Sequence, residues 1–300
     1  LTYKCMSEGR EAKSLKVKVF ARRLGSSVFL YGVLWVGLFG PNETLSRSAF
    51  GIIITFLGLL ALLEFFNMAE KRNLAPYKSL GVGAGVGLIL AMFWLLAIRG
   101  DIDLAVSFEF AALLCLVPTI GVFQLFSPKS KGSIGPMAST LFGVVYVAFL
   151  LNVLQMIRYY NVEGNWWLMY FVVVSKMSDT GAYCTGSLIG KHKMIPRVSP
   201  GKTWEGFAGG ITFSVLASWA FFQFGPEHFQ QMKVGWALGL GAVLGVGSVM
   251  GDLIESLMKR EADVKDSGSF FPGIGGILDL LDSLLFNGPI MYLYLRYGLA

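Results

Sequence analysis

The densest chemistry in this chain lies near its end. Between Ser256 and Ser283 it reads SLMKREADVKDSGSFFPGIGGILDLLDS, with three basic residues and five carboxylates around a Pro-Gly-x-Gly-Gly turn at the mouth of a final apolar segment. Polar groups this close to membrane depth are costly and mark sites. Asp252, Ser256, Lys259 and Asp263 follow i, i+4, i+7, i+11, which aligns them on one face if the helix bearing Asp252 continues past its apolar stretch. Asp279 and Asp282 are one turn apart, their Cβ atoms roughly 5–6 Å from each other. Carboxylates that close repel unless a cation lies between them. Mg²⁺ is held by one or two carboxylates together with substrate phosphates, so Asp252, Asp279 and Asp282 are the expected metal ligands. The competing explanation is that acidic residues complement the dipole at a helix start. One Asp fits that explanation; three beside glycine-rich backbone and cations fit it poorly.

Two upstream blocks carry further polar groups. In Lys176–Lys193, KMSDTGAYCTGSLIGKHK, Lys176 and Asp179 are three apart within an apolar segment and share a helix face as an ion pair, either a structural tie or the wall of a cavity. Gly181, Gly186 and Gly190 allow close backbone approach there. In Ser199–Gly206, SPGKTWEG, a Pro-Gly turn places Lys202 and Thr203 beside the free amides of a helix start, a place that attracts anions. The upstream glycine spacing of a Walker A loop is missing.

Such residues need a membrane scaffold around them. Three hundred residues with 54% hydrophobic content, 15% charge and a mean hydropathy of +0.61 carry more apolar surface than a soluble core can bury. The expected fold is therefore all-α and polytopic. About nine transmembrane helices are expected, at Leu24–Gly40, Ala49–Met68, Leu80–Ile98, Leu104–Phe126, Met137–Ile157, Trp166–Ile189, Gly206–Phe224, Val234–Ile254 and Ile277–Leu295, each near the ~20 residues a bilayer requires. Residues 1–23 read as a basic cytosolic arm, 24–160 as scaffold helices one to five, and 161–300 as catalytic helices six to nine with two cytosolic loops. With the N-terminus inside, nineteen of the 25 basic residues fall in cytosolic segments and five outside, leaving Lys176 within the sixth helix. The positive-inside bias thus puts loops 190–205 and 257–276 on one cytosolic face.

The net charge of +6 follows from that bias and from attraction to anionic headgroups, and no run of residues resembles a nucleic-acid reader. Cys5, Cys115 and Cys184 suggest neither a disulfide framework nor a zinc site. In the first half Glu64 is the main polar exception, a carboxylate that needs a partner. Glu109 is expected near the outer interface. Gly81, Gly83, Gly85 and Gly87, with the pairs Gly241/Gly245 and Gly247/Gly251, predict close helix packing or a dimer contact.

The polar blocks resemble the phosphatidate cytidylyltransferases, or CDP-diacylglycerol synthases. The likeness rests on Ser256-x-x-Lys259-Arg260, then Lys265-Asp266, then Pro272-Gly273-x-Gly275-Gly276-x-x-Asp279-x-x-Asp282-Ser283. Upstream, Asp179-x-Gly181-Ala182-Tyr183 and Ser199-Pro200-x-Lys202-Thr203-x-Glu205-Gly206 stand in the family's order. The resemblance covers the last 130 residues well and the first half only in hydropathy. It departs at Ile274, where the family commonly has His, and at Leu280, where it has Arg.

The resemblance implies CTP and phosphatidate as substrates and CDP-diacylglycerol and pyrophosphate as products, formed in a cavity open to the cytosol and inner leaflet of the cell membrane. It implies Asp252, Asp279, Asp282 and Lys259 as catalytic residues. Ser199, Lys202, Thr203, Ser256, Arg260, Lys265, Asp266, Gly275, Gly276 and Asp179 would form the substrate and phosphate site. Mg²⁺ on the three Asp residues, a monovalent cation such as K⁺ and a homodimer are also implied. A CTP-dependent transferase or kinase acting on an ether lipid or polyprenol is the nearer alternative. An ion-coupled transporter relaying through Glu64, Lys176, Asp179, Asp279 and Asp282 is the distant one.

Overall fold

The computed structural model describes residues 31–127, 134–268 and 275–299. Residues 31–39 are helical, and eight longer helices follow: α1 (Glu43–Lys71), α2 (Lys78–Arg99), α3 (Ile102–Phe126), α4 (Gly135–Arg158), α5 (Gly164–Ile189), α6 (Trp204–Phe224), α7 (Val234–Glu261) and α8 (Ile277–Leu293). The last turn of α2, the middle of α4 and the extension of α8 over Tyr294–Gly298 widen into π-helix. Among the described residues six helices, α1–α4, α6 and α7, are long and apolar enough to cross a membrane by length and composition. The protein is a polytopic all-α membrane protein. The expected arm, 1–23, and Ile274 lie outside the described residues.

Helix ends follow local chemistry. Asp101 caps α3 by accepting from the Leu104 amide at 2.9 Å. Thr203 caps α6, its hydroxyl accepting from Gly206 N at 3.2 Å. Gly100 closes α2 in the left-handed region, with φ of 69°, where an L side chain is strained.

Lipid tails are as apolar as Leu, so the helices associate through close packing and interhelical hydrogen bonds. The four alternating glycines of α2 divide by helix geometry. Gly81 and Gly85 lie one turn apart, where a Cβ would strike Phe66 and Leu62 of α1, whereas Gly83 and Gly87 meet nothing. A small-residue stripe clamps α5, α6 and α7 together. Gly241 and Gly245 lie against the backbone of Val215 and Ile211, and Gly251 against the Asp282 carbonyl. Buried hydroxyls bridge the same seams: Ser214 donates to Val174 O at 3.0 Å, Ser178 to Gly245 O at 3.1 Å and Ser248 to Ser175 O at 3.1 Å. Each is worth on average ~0.6 kcal/mol, but an unpaired hydroxyl there would cost more.

Glu109 is buried within the bundle: it accepts from Asn152 Nδ2 at 2.9 Å, and Gln155 donates on to Asn152 Oδ1 at 3.0 Å. Between α5 and α6 the chain forms a two-stranded antiparallel hairpin, β1 (Lys193–Ile195) and β2 (Ser199–Thr203), with Ile195 opposite Ser199 and Lys193 opposite Thr203. Val198 packs with Val249 and Leu253, seating the hairpin on α7.

Candidate active site

The C-terminal part of α7, the N-terminal turns of α8, the middle of α5 and the end of β2 converge at one end of the bundle. They meet in a chain of alternating carboxylates and ammonium groups. Lys176 Nζ lies 3.3 Å from Asp179 Oδ2, 3.7 Å from Asp282 Oδ1 and 2.8 Å from Ser283 Oγ, joining α5 to α8. Lys202 Nζ lies 2.9 Å from Asp252 Oδ2 and donates to the Val249 carbonyl at 3.2 Å, joining β2 to α7. Lys259 Nζ lies 2.8 Å from Glu255 Oε2 and 2.5 Å from Asp279 Oδ1, joining α7 to α8. Charges this deep persist only when paired and hydrogen-bonded, and each of these ammonium groups meets two polar partners or more.

The α7 face forms because the helix does continue beyond its apolar stretch, supported by the Glu255–Lys259 pair at i, i+4. Asp252, Ser256 and Lys259 share that face as expected, and Ser256 Oγ donates to Asp252 Oδ1 at 3.2 Å. Asp263 does not share it: α7 ends at Glu261 and Asp263 takes φ of 52°, turning its exposed side chain toward Arg72, 4.0 Å away.

Asp279 and Asp282 face different ammonium groups, Lys259 and Lys176. Asp279 turns to Lys259 and also closes the start of α8, its Oδ2 accepting from Gly276 N at 2.7 Å, Ser267 N at 3.1 Å and Ser267 Oγ at 2.9 Å. Asp282 faces Lys176, with its Oδ1 accepting from the Ser283 amide at 2.5 Å. Gly275, at φ of 114°, makes this turn possible; a Cβ there would sit 2.6 Å from Asp279 Oδ2.

A metal-capable group comprises Asp252, Glu255 and Asp282, one carboxylate oxygen of each lying within 4.8 Å of the other two. Asp279 lies outside that group, and Glu255 takes its place. Glu255 escapes a reading based on Asp252, Ser256 and Lys259, although its spacing, three after Asp252 and four before Lys259, puts it on their face. Its side chain is fully buried, and Oε1 has no hydrogen-bond partner among the described residues. Three carboxylate oxygens from two helices, those of Glu255 and Asp282 buried and that of Asp252 partly open to solvent, suit a hard divalent cation. Five carboxylates, Asp179, Asp252, Glu255, Asp279 and Asp282, stand among the three ammonium groups of Lys176, Lys202 and Lys259.

Other expected residues frame the cluster. Arg260 Nε donates to Val198 O at 3.3 Å, tying α7 to the hairpin. Ser199 is half-buried on β2, and Thr203 is buried with its hydroxyl engaged in capping α6; Gly186 and Gly190 crowd that hydroxyl, which explains those glycines. Lys265 and Asp266 are exposed in the turn after α7, and Leu280 is half-buried. Glu205, in the first turn of α6, accepts from the Lys191 and His192 amides at 3.1 and 3.2 Å and from His192 Nδ1 at 2.6 Å, closing the hairpin onto α6.

Fold and cluster together define a class: polytopic membrane proteins with a carboxylate- and ammonium-lined site at one end of the helix bundle. A family model described as the cytidylyltransferase family matches residues 21–298, nearly the whole chain. A phosphatidate cytidylyltransferase of Bacillus subtilis (strain 168) is 32% identical over 289 residues, which is 94% of this chain and 97% of the relative. One of Staphylococcus aureus (strain COL) is 34% identical over 251 residues, 81% of this chain and 88% of the relative, and one of Chlamydia trachomatis (serovar D) is 41% identical over 170 residues, 53% and 55%. The chain belongs to the cytidylyltransferase family.

Proposed function

We propose that this protein is a phosphatidate cytidylyltransferase, converting CTP and phosphatidate to CDP-diacylglycerol and pyrophosphate at a cytosolic site in the cell membrane. The observation that carries the reading is the convergence of all three sequence blocks, through Lys176, Lys202 and the α7–α8 pairs, in one charged cluster of a chain that matches the family nearly end to end. A phosphate oxygen of the lipid attacks the α-phosphorus of CTP. As that P–O bond forms, the bond from the α-phosphorus to the bridging oxygen breaks and pyrophosphate leaves with the electron pair. The attacking oxygen is already anionic near neutral pH, so the step requires no strong general base.

Catalysis then rests on positioning and on neutralising phosphate charge. Lys259 on the α7 face and Lys202, which reaches Asp252 on that face from β2, exchange a carboxylate partner for phosphate oxygens as charge-assisted donors. Lys176 holds Asp282 toward α7 and neutralises Asp179. Asp252, Glu255 and Asp282 are the residues that would hold Mg²⁺, which would supply stabilisation of the negative charge that develops on the leaving pyrophosphate. A transporter relay has less support, because these charges crowd one end of the bundle and each meets a fixed partner.

The test is a substrate panel on purified protein in detergent: labelled CTP with Mg²⁺ and phosphatidate, an ether-linked analogue or a polyprenol phosphate. CDP-lipid forms from phosphatidate, and Asp252→Asn, Glu255→Gln and Asp282→Asn each lower the rate at least ~100-fold, as does EDTA. Activity on polyprenol alone overturns the substrate assignment, and full activity in all three variants overturns the site.

A further inference from the structure

Glu64 stands in α1, within the half of the chain that otherwise serves as scaffold, and its carboxylate reaches the far end of the sequence. Oε1 accepts from Ile277 N at 3.0 Å, and Oε2 accepts from Leu278 N at 2.9 Å. Ser267 Oγ lies 3.1 Å from Glu64 Oε2 and 2.9 Å from Asp279 Oδ2, so one hydroxyl stands between the two carboxylates. Two glycines make the room: a Cβ on Gly268 would overlap the Glu64 carboxylate, and one on Gly276 would overlap both Glu64 and Ser267 Oγ. The first amides of a helix have no intrahelical acceptor. Here Glu64 satisfies those of Ile277 and Leu278 while Asp279 satisfies that of Gly276.

We propose that Glu64 is a positioning residue for the transfer reaction, pinning the first turn of α8 to α1 and so fixing where Asp279 and Asp282 stand against α7. The proposal rests on the functional reading above. Its physical content is that α8 is rigid beyond its first turn, so any play at Ile277 and Leu278 is passed on to the Asp282 carboxylate. Displacement by about 1 Å of a group that must meet a reacting phosphate is enough to lower a rate ~100-fold. Arg72, one residue past α1, also faces Asp263 at 4.0 Å in an exposed pair, so the end of α1 lies beside the end of α7 as well as the start of α8.

The experiment compares wild type, Glu64→Ala, Glu64→Gln, Glu64→Asp and Ser267→Ala as purified full-length chains. Three readouts are taken: steady-state rates against CTP, hydrogen–deuterium exchange over residues 275–283, and exchange over α5 as an internal control. Glu64→Ala lowers kcat at least ~10-fold while KM for CTP changes less than ~3-fold, and it quickens exchange at Ile277 and Leu278 at least ~10-fold with α5 unchanged. Gln, which keeps one acceptor at full reach, recovers part of both effects. Asp, one methylene short, behaves like Ala. Ser267→Ala loses about 3-fold in kcat with the two amides still protected. An active wild type beside a Glu64→Ala of equal kcat overturns the proposal, as does unchanged exchange at Ile277 and Leu278. So does exchange that rises equally across α5, which marks loss of fold. If Glu64→Ala does not fold, the same comparisons are made on Glu64→Gln and Ser267→Ala. An inactive wild type overturns the functional reading instead.

Discussion

Lys259 is the residue whose removal separates a structural from an incidental charge pair. Its ammonium sits between Glu255 and Asp279, with side chains 11%, 0% and 10% exposed, at 2.8 and 2.5 Å. Lys259→Met keeps most of the side-chain volume and deletes the charge, leaving two buried carboxylates facing each other. Breaking a buried pair by removing one partner costs about 3–5 kcal/mol, chiefly because the other charge is stranded. At about 2–4 °C per kcal/mol for large domains, the apparent Tm in detergent falls by roughly 6–20 °C. The double variant Lys259→Met/Glu255→Gln removes one of the stranded charges as well. It regains part of the loss, with a coupling of about 1–3 kcal/mol between the two positions. Activity does not return, because the cation that meets phosphate is still absent, and both variants stay at least ~100-fold below wild type. Thermal unfolding followed by tryptophan fluorescence, alongside CDP-lipid formation, measures both. A Lys259→Met protein within 2 °C of wild type (about 1 kcal/mol or less), or strict additivity in the double variant, refutes the reasoning.

Two further outcomes follow from particular contacts. Gly251→Ala places a methyl 2.6 Å from the Asp282 carbonyl, and backbone cannot step aside as a flexible side chain does. Helices α7 and α8 are forced apart, with activity down at least ~10-fold and an apparent Tm lower by several degrees, whereas Gly239→Ala, which meets nothing within 4 Å, leaves both unchanged. Lys202→Ala frees Asp252 from its 2.9 Å partner and removes a phosphate donor. It raises KM for CTP about 10-fold in rate measurements at fixed phosphatidate, and an unchanged KM would argue against a triphosphate beside β2.

Much of this arrangement was legible from spacing. Lys176 with Asp179, and Asp252 with Ser256 and Lys259, meet because residues three, four and seven apart stack on one helix face. The continuation of α7 was legible only conditionally, and the left-handed turn at Asp263 that ends the face carries no glycine to announce it. Glu255 was at the right spacing but hidden among more polar neighbours, and its importance comes from burial, which sequence reports poorly. Cβ separation alone puts Asp279 and Asp282 side by side, whereas side-chain direction, which spacing does not report, turns one to Lys259 and the other to Lys176. Glu64 shows the limit most clearly. A lone carboxylate in an apolar segment signals that a partner exists, and no periodicity names Ile277 and Leu278 as that partner.

The tie from Glu64 to Ile277 spans 213 residues of chain. At synthesis rates of about 5–20 residues per second, the carboxylate emerges roughly 10–40 s before the amides it will hold. Throughout that interval the Glu64 carboxylate lacks the two amides that hold it in the folded protein. The site is therefore complete only once α8 has been made, because a chain that stops before α8 lacks both amides that Glu64 holds and the carboxylates of Asp279 and Asp282.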